Sequence, residues 1–138
     1  MASFEWPVRV YYEDTDTAGV VYYANYLKFL ERARTEWLRS LGFEQDVLIR
    51  DHDVVFAVRS VTIDYLKPAR FNDALVVRSS LGELRRASLL FEQAVLRAEA
   101  AESALLASGQ VGVVALHARS LRPRPIPPFV REAIESDR

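Results

Sequence analysis

One amphipathic stretch, residues 24–41, limits what this chain can become more than any other. Tyr26, Leu30, Ala33, Trp37 and Leu41 recur at spacings of three and four, and Leu27, Phe29 and Leu38 widen the apolar stripe. Lys28, Glu31, Arg32, Arg34, Glu36 and Arg39 fill the other positions, with Arg32 and Glu36 spaced to pair at i,i+4. Asn25 suits an N-cap and Gly42 a helix stop. A helix of about 17 residues is ~26 Å long, enough to lie across a whole sheet.

Most of the remaining chain is written in strand periods. Residues 4–13 alternate, Val8, Val10 and Tyr12 against Arg9, Tyr11 and Glu13, with Pro7 tolerable at a strand end or edge. Residues 14–19 break the pattern with turn formers ending in Gly19. A short helix is expected at 44–50. β-Branched runs then cover 54–66, 75–85, 88–97 and 105–118, with 98–102 as the turn before the last. The tail carries Pro123, Pro125, Pro127 and Pro128, so it should be extended and ordered by docking, with a final helical turn at 129–135.

The pattern predicts one α+β domain spanning residues 1–138, an antiparallel sheet wrapped around one long central helix. The last strand is apolar on both faces, Leu105, Ala107, Val111, Val113 and Ala115 on one, Leu106, Val114 and Leu116 on the other. A single helix covers only one face, so the second predicts burial against another copy, a homo-oligomer.

Several chemistries fall away. The net charge of −1 gives no global field for nucleic acid. With no cysteine there is no disulfide framework, thiolate zinc site or cysteine nucleophile. No apolar run approaches the ~18 residues of a membrane span. The first five residues lack the features of a secretory signal, so a cytoplasmic protein is expected. The two histidines, His52 and His117, lie far from the long helix in sequence; Ser108-Gly109 lacks a nucleophile-elbow frame, and no phosphate-loop or dinucleotide motif occurs. Carboxylate chemistry remains, densest at Glu13, Asp14 and Asp16.

Spacing leaves two roles open for these acids. They can cap a strand-ending turn by accepting backbone N–H bonds, the commoner role. They can also react, because the next helix offers unpaired N–H groups and a partial positive charge that stabilise an oxyanion. A metal site is a weaker alternative, since the fixed-spacing ligands of a calcium loop are missing.

The run Tyr12-Glu13-Asp14-Thr15-Asp16, then Gly19-Val20-Val21-Tyr22 and Asn25-Tyr26, resembles the signature of hotdog-fold acyl-CoA thioesterases of the 4-hydroxybenzoyl-CoA thioesterase superfamily, most like its YbgC-like branch, often linked to the Tol–Pal envelope system. Glu31-Arg32-Ala33-Arg34-Thr35-Glu36-Trp37-Leu38, Ile63-Asp64-Tyr65-Leu66-Lys67-Pro68-Ala69-Arg70, Leu84-Arg85-Arg86-Ala87-Ser88 and Arg122-Pro123-Arg124-Pro125-Ile126-Pro127 carry the likeness through nearly the whole chain.

The resemblance implies a hotdog fold and hydrolysis of an acyl-CoA by a dimer or homotetramer, without a cofactor. It makes Asp16 the catalytic aspartate, as nucleophile or general base, and Tyr23 the residue whose backbone N–H polarises the thioester carbonyl. It implies that Arg85 and Arg86, with Ser88 beside them, hold the CoA phosphates, while Tyr26 and its neighbouring tyrosines line an acyl pocket. Adjacent arginines reach one phosphate group only from a turn or bulge. Two departures stand out: Tyr23 occupies a position where many YbgC-like proteins carry histidine, and Ala87 one where some relatives have a third basic residue. A hotdog dehydratase is disfavoured by the lack of histidine near the helix. A non-catalytic acyl-binding or scaffold protein is the alternative from another class.

Overall fold

The computed structural model of the chain describes residues 3–98 and 104–138. Along the chain run β1 (Phe4–Arg9), α1 (Asn25–Ser40), α2 (Gln45–His52), β2 (Val54–Tyr65), β3 (Ala74–Leu84), β4 (Ser88–Arg97), β5 (Ala104–His117) and α3 (Pro128–Asp137). The strands form one antiparallel sheet in the order β1-β3-β4-β5-β2, leaving β1 and β2 at the edges. Helix α1 lies on one face and buries Tyr26, Phe29, Leu30, Ala33, Trp37 and Leu38, six of the eight residues in the apolar stripe. They meet Val77, Phe91, Val95, Val111 and Ala115 of the sheet, and the rings of Trp37 and Phe91 cross edge to face at 5.2 Å.

One polar group sits in this core. Gln93 on β4 is 3% exposed and faces the helix, where its amide donates to Leu30 O (3.0 Å) and Ser79 Oγ (2.9 Å). Its carbonyl accepts from Arg34 Nη1 at 3.0 Å. Every buried polar atom there is paired, which removes most of the cost of burying it.

The first strand ends at Arg9 rather than at residue 13. Tyr11 and Tyr12 are good strand formers, but the Asp14 carboxylate accepts the Tyr11 N–H at 2.9 Å and closes a single 3₁₀ turn at Tyr12–Asp14. A local side-chain bond to the backbone outcompetes the ladder. Asn25 is the first residue of α1 and not its cap; Ala24 holds that position without a side-chain bond. At the other end, Gly42 takes φ 98°, as the helix stop requires.

The expected second apolar face also needs correction. The register shifts between Val95 and Leu96, opposite Leu106, so Leu106 and Ala107 both turn inward and are fully buried. The middle of the outward face is polar, lined by Asp64, Arg78, Ser80, Glu92, Ser108 and Gln110. Of the turn expected at 98–102, Ala98 donates its N–H to Ala74 O at 2.8 Å, while residues 99–103 lie outside the described part.

The proline-rich tail docks as expected, and the physical reason is now visible. It runs beside β5 where β4 has ended: His117 N donates to Arg122 O, Arg124 N to Ala115 O, and Ile126 N to Arg86 O, all at 2.8–3.0 Å. Helix α3 then returns over the helix face with Val130 and Ile134 fully buried, and Phe129 packs between Phe43 (5.8 Å) and His52 (4.7 Å). Pro128 begins α3, where its missing N–H costs nothing. Because Ile134 belongs to the core, Ile134→Ala should lower stability by about 2–4 kcal/mol in urea unfolding. No change would mean that the tail contributes nothing to the folded state.

Candidate active site

The three acids have three different surroundings. Asp14 is 5% exposed; its carboxylate takes the Tyr11 N–H, while its carbonyl accepts from Tyr22 N and from Asn25 Nδ2, each at 2.9 Å. It is the knot that ties the acidic turn to the start of α1. Glu13 is exposed and carries no such bond.

Asp16 is exposed at the mouth of a small hairpin, with Thr15 bridging to Val21 and Asp16 N donating to Val20 O at 2.9 Å. Gly19 closes it at φ 78°, a value that disfavours any side chain, and donates to Asp16 O at 3.0 Å. One Asp16 carboxylate oxygen, Oδ1, accepts the Ala18 N–H at 2.8 Å. Its other oxygen has no partner among the described residues. The carboxylate is therefore aimed by one bond and open on its second oxygen.

The hairpin rests on a strap at residues 69–71: Val21 N donates to Ala69 O (2.8 Å), Phe71 N to Gly19 O (3.3 Å), and Val20 bridges to Arg70. Tyr26 holds that strap. Its ring is 2% exposed, and its hydroxyl accepts the Ala69 N–H at 3.0 Å.

Tyr23 stands just before α1 with its ring 61% exposed, and its backbone N–H finds no acceptor among the described residues. Its carbonyl accepts the Tyr65 hydroxyl at 3.0 Å, which ties the peptide between Tyr23 and Ala24 to β2. Tyr65 packs edge-on against Tyr26 (5.3 Å) and Tyr23 (6.2 Å). Burial first, and the neighbouring phenols second, push its own phenol above the usual value, so it remains a neutral donor. An N–H without a partner at the positive end of a 16-residue helix has the chemistry to receive a negatively charged oxygen.

Arg85, Arg86 and Ser88 belong to the β3–β4 hairpin. The two arginines lie in the turn itself and not in a strand. Arg85 N donates to Ser88 O (2.8 Å), Ile126 N to Arg86 O (2.9 Å) and Ala115 N to Ala87 O (2.8 Å), while the Arg131 guanidinium donates to Arg85 O. The turn is thus pinned by the tail. Arg85 pairs with Glu83 at 2.9 Å and lines a cleft with Ser88, whereas Arg86 is exposed outside it.

One small hairpin carries Asp16 and leads into Tyr23, and the arginines stand apart from both. The small hairpin adjoins residues 69–73, just before β3 begins, while Arg85 follows its end; the 11 residues of β3 between them span roughly 33 Å. Sequence reasoning missed Tyr65 as the residue that orients Tyr23, and Asn25 as the link to Asp14. Tyr65 lies 42 positions from Tyr23, in a strand and within one of the runs that carry the family resemblance, and neither assigns it this contact. Among the described residues no group of three or more His, Cys, Asp or Glu could hold a metal ion, and no helix is long and apolar enough to cross a membrane.

A long helix wrapped by an antiparallel sheet is the architecture of the hotdog class. Residues 10–134 match the model of the thioesterase-like superfamily. The chain is 42% identical over 130 residues to the acyl-CoA thioesterase YbgC of Haemophilus influenzae, covering 94% of this chain and 93% of that protein. It is 45% identical over 124 residues to the acyl-CoA thioester hydrolase YbgC of Escherichia coli O157:H7, covering 90% of each. The structure of 4-hydroxybenzoyl CoA thioesterase from Pseudomonas sp. strain CBS-3 superposes with a TM-score of 0.88 over 96% of this chain and 99% of that one; at 22% identity this likeness concerns the fold alone. The chain belongs to the thioesterase-like superfamily of hotdog-fold enzymes.

The Asn25–Asp14 bond can be tested directly. Asn25→Ala should cost ~1 kcal/mol in thermal unfolding. Asn25→Asp should cost more, because a carboxylate cannot donate to the Asp14 carbonyl and repels it. Equal stability of the two variants would show that the bond does not join turn to helix.

Proposed function

We propose that this protein is an acyl-CoA thioesterase, hydrolysing the thioester to a free acid and CoA in the cytoplasm. Its YbgC relatives, at 42–45% identity, carry that activity in their names. The observation that carries the mechanism is the pairing of an open Asp16 carboxylate oxygen with an unpartnered Tyr23 N–H at the N-terminal end of α1. In this reading the thioester carbonyl oxygen accepts the Tyr23 N–H, which stabilises the charge that develops there. Asp16 then attacks the carbonyl carbon, or takes a proton from the water that does. The C–S bond breaks and the thiolate leaves as CoA; where Asp16 itself attacked, water then cleaves the resulting acyl–aspartyl anhydride, releasing the free acid and restoring the carboxylate. The Tyr23 side chain is not needed as an acid, so a backbone role does not depend on which side chain stands at this position. Tyr26 serves by holding the strap beneath the hairpin and by flooring the acyl pocket.

The reading also calls for a second copy of the chain. Strand β2 bonds to β5 along one edge only, and Val58, Val61 and Tyr65 on it are 41–49% exposed. Antiparallel pairing of β2 with the same strand of another copy would set the Tyr65 end of one protomer against the Val58 end of the other. Arg85, Arg86 and Ser88 lie toward the Val58 end, so one protomer's arginines would approach the partner's Asp16. This supports a dimer, or a tetramer built from dimers, in place of a single-chain site.

Asp16→Asn should cut kcat for acyl-CoA hydrolysis by roughly 10³-fold or more while the unfolding midpoint stays unchanged, in a thiol-release assay across short, long and aromatic acyl groups. Full turnover in that variant would favour the rival reading of a non-catalytic acyl-binding protein. In sedimentation the chain should run as a dimer or larger at micromolar concentration. A stable monomer there would remove the two-copy site.

A further inference from the structure

A trough of about 210 Å³ on the outward face of the sheet contains Arg85 and Ser88 together with a residue no motif singled out, Arg59. We propose that Arg59 is a second cation for the CoA phosphates, acting beside Arg85; the proposal rests on the thioesterase reading and names one more residue of its substrate site.

The trough lies between two irregularities, one in β2 and one in β3, the strands on either side of β4 and β5. In β2 the register with β5 skips between Val58 and Ser60, leaving Arg59 opposite no residue. In β3 the register with β4 skips between Leu81 and Glu83, leaving Gly82 likewise unopposed. An extra residue bends a strand and re-aims its side chains. Here it lets Arg59 and Ser60 both line the outward trough, where strict alternation would turn one of them toward the helix. Between the two skips runs a continuous cross-strand row, Ser60–Gly112–Leu90–Glu83. Gly112 keeps the row low: a Cβ there would lie 2.4 Å from Ser60 Oγ.

The charges fit an anion and explain why Arg59 matters. Arg85 is already paired with Glu83 at 2.9 Å, so with Glu83 present it brings no net positive charge to the trough. Arg59 has no ion-pair or hydrogen-bond partner among the described residues. It supplies the net charge of the group, and its planar fork suits phosphate oxygens. The hydroxyls of Ser60 and Ser88 add neutral donors along the same walls. As a phosphate enters, Arg85 exchanges the Glu83 carboxylate for it.

The test is calorimetric binding of free CoA, with pantetheine as the matched ligand that lacks the nucleotide and its phosphates. Arg59→Gln should weaken CoA binding roughly three- to tenfold and leave pantetheine binding unchanged. Glu83→Gln should tighten CoA binding, because it frees Arg85. An unchanged CoA affinity in Arg59→Gln, or an equal loss for pantetheine, would overturn the proposal. So would weaker CoA binding in Glu83→Gln. The thioesterase reading fails separately, if wild-type protein binds CoA but releases no thiol from any acyl-CoA.

Discussion

Everything in this molecule depends on covering one stripe of one helix. The stripe of α1 holds Tyr26, Phe29, Leu30, Trp37 and Leu38, and each large apolar side chain fully buried contributes about 1.5–3 kcal/mol relative to exposure. A helix with such a stripe cannot stand alone, and the only partner long enough is the sheet. The core-facing rows of β3, β4 and β5 supply the complement, and α3 adds Val130 and Ile134 on the same side. With the helix held across the sheet, its N-terminal end lies at one edge of the domain, open to solvent. The fold thereby presents the positive end of a dipole and a free N–H, the feature on which the proposed mechanism rests.

The site itself is a consequence of how the chain enters that helix. Asp14 uses both its carboxylate and its carbonyl to bind Tyr11, Tyr22 and Asn25, and this leaves Asp16 two residues further on, at the tip of a hairpin. One acid is consumed by structure so that another can stay exposed. Tyr26 and Tyr65 reach up from the core and the edge strand to hold, respectively, the strap under the hairpin and the Tyr23 peptide. The tyrosines crowded into this region thus do different jobs. Tyr26 is a core ring with an engaged hydroxyl, Tyr65 an orienting donor, and Tyr12 an exposed ring stacked on Phe71 at 3.8 Å.

The separation of Asp16 from Arg85 by the full length of β3 carries the strongest structural lesson. Residues that a motif-based view assigns to one substrate lie at opposite ends of a protomer. Strand β2 is an edge of the sheet along which a second copy could add. Long unpaired edges invite association, and exposed valines on β2 make this edge more inviting still.

Much of this was legible in the chain of residues alone. Periodicity located α1 to within one residue at each end and all five strands, because hydrophobic spacing reports which side of an element meets the core. It failed where a local bond beat a propensity, as at Tyr11 and Tyr12, and where a bulge reversed a face, as at Leu106. The sequence by itself determined the element order and the acidic turn, since these follow from neighbours along the chain, while the choice of Asp16 among the acids came from the family resemblance. Only the tertiary structure decided which of three acids is buried, which phenol orients Tyr23, and that the arginines stand far from Asp16. Those facts depend on contacts between residues tens of positions apart, and such contacts leave no periodic trace.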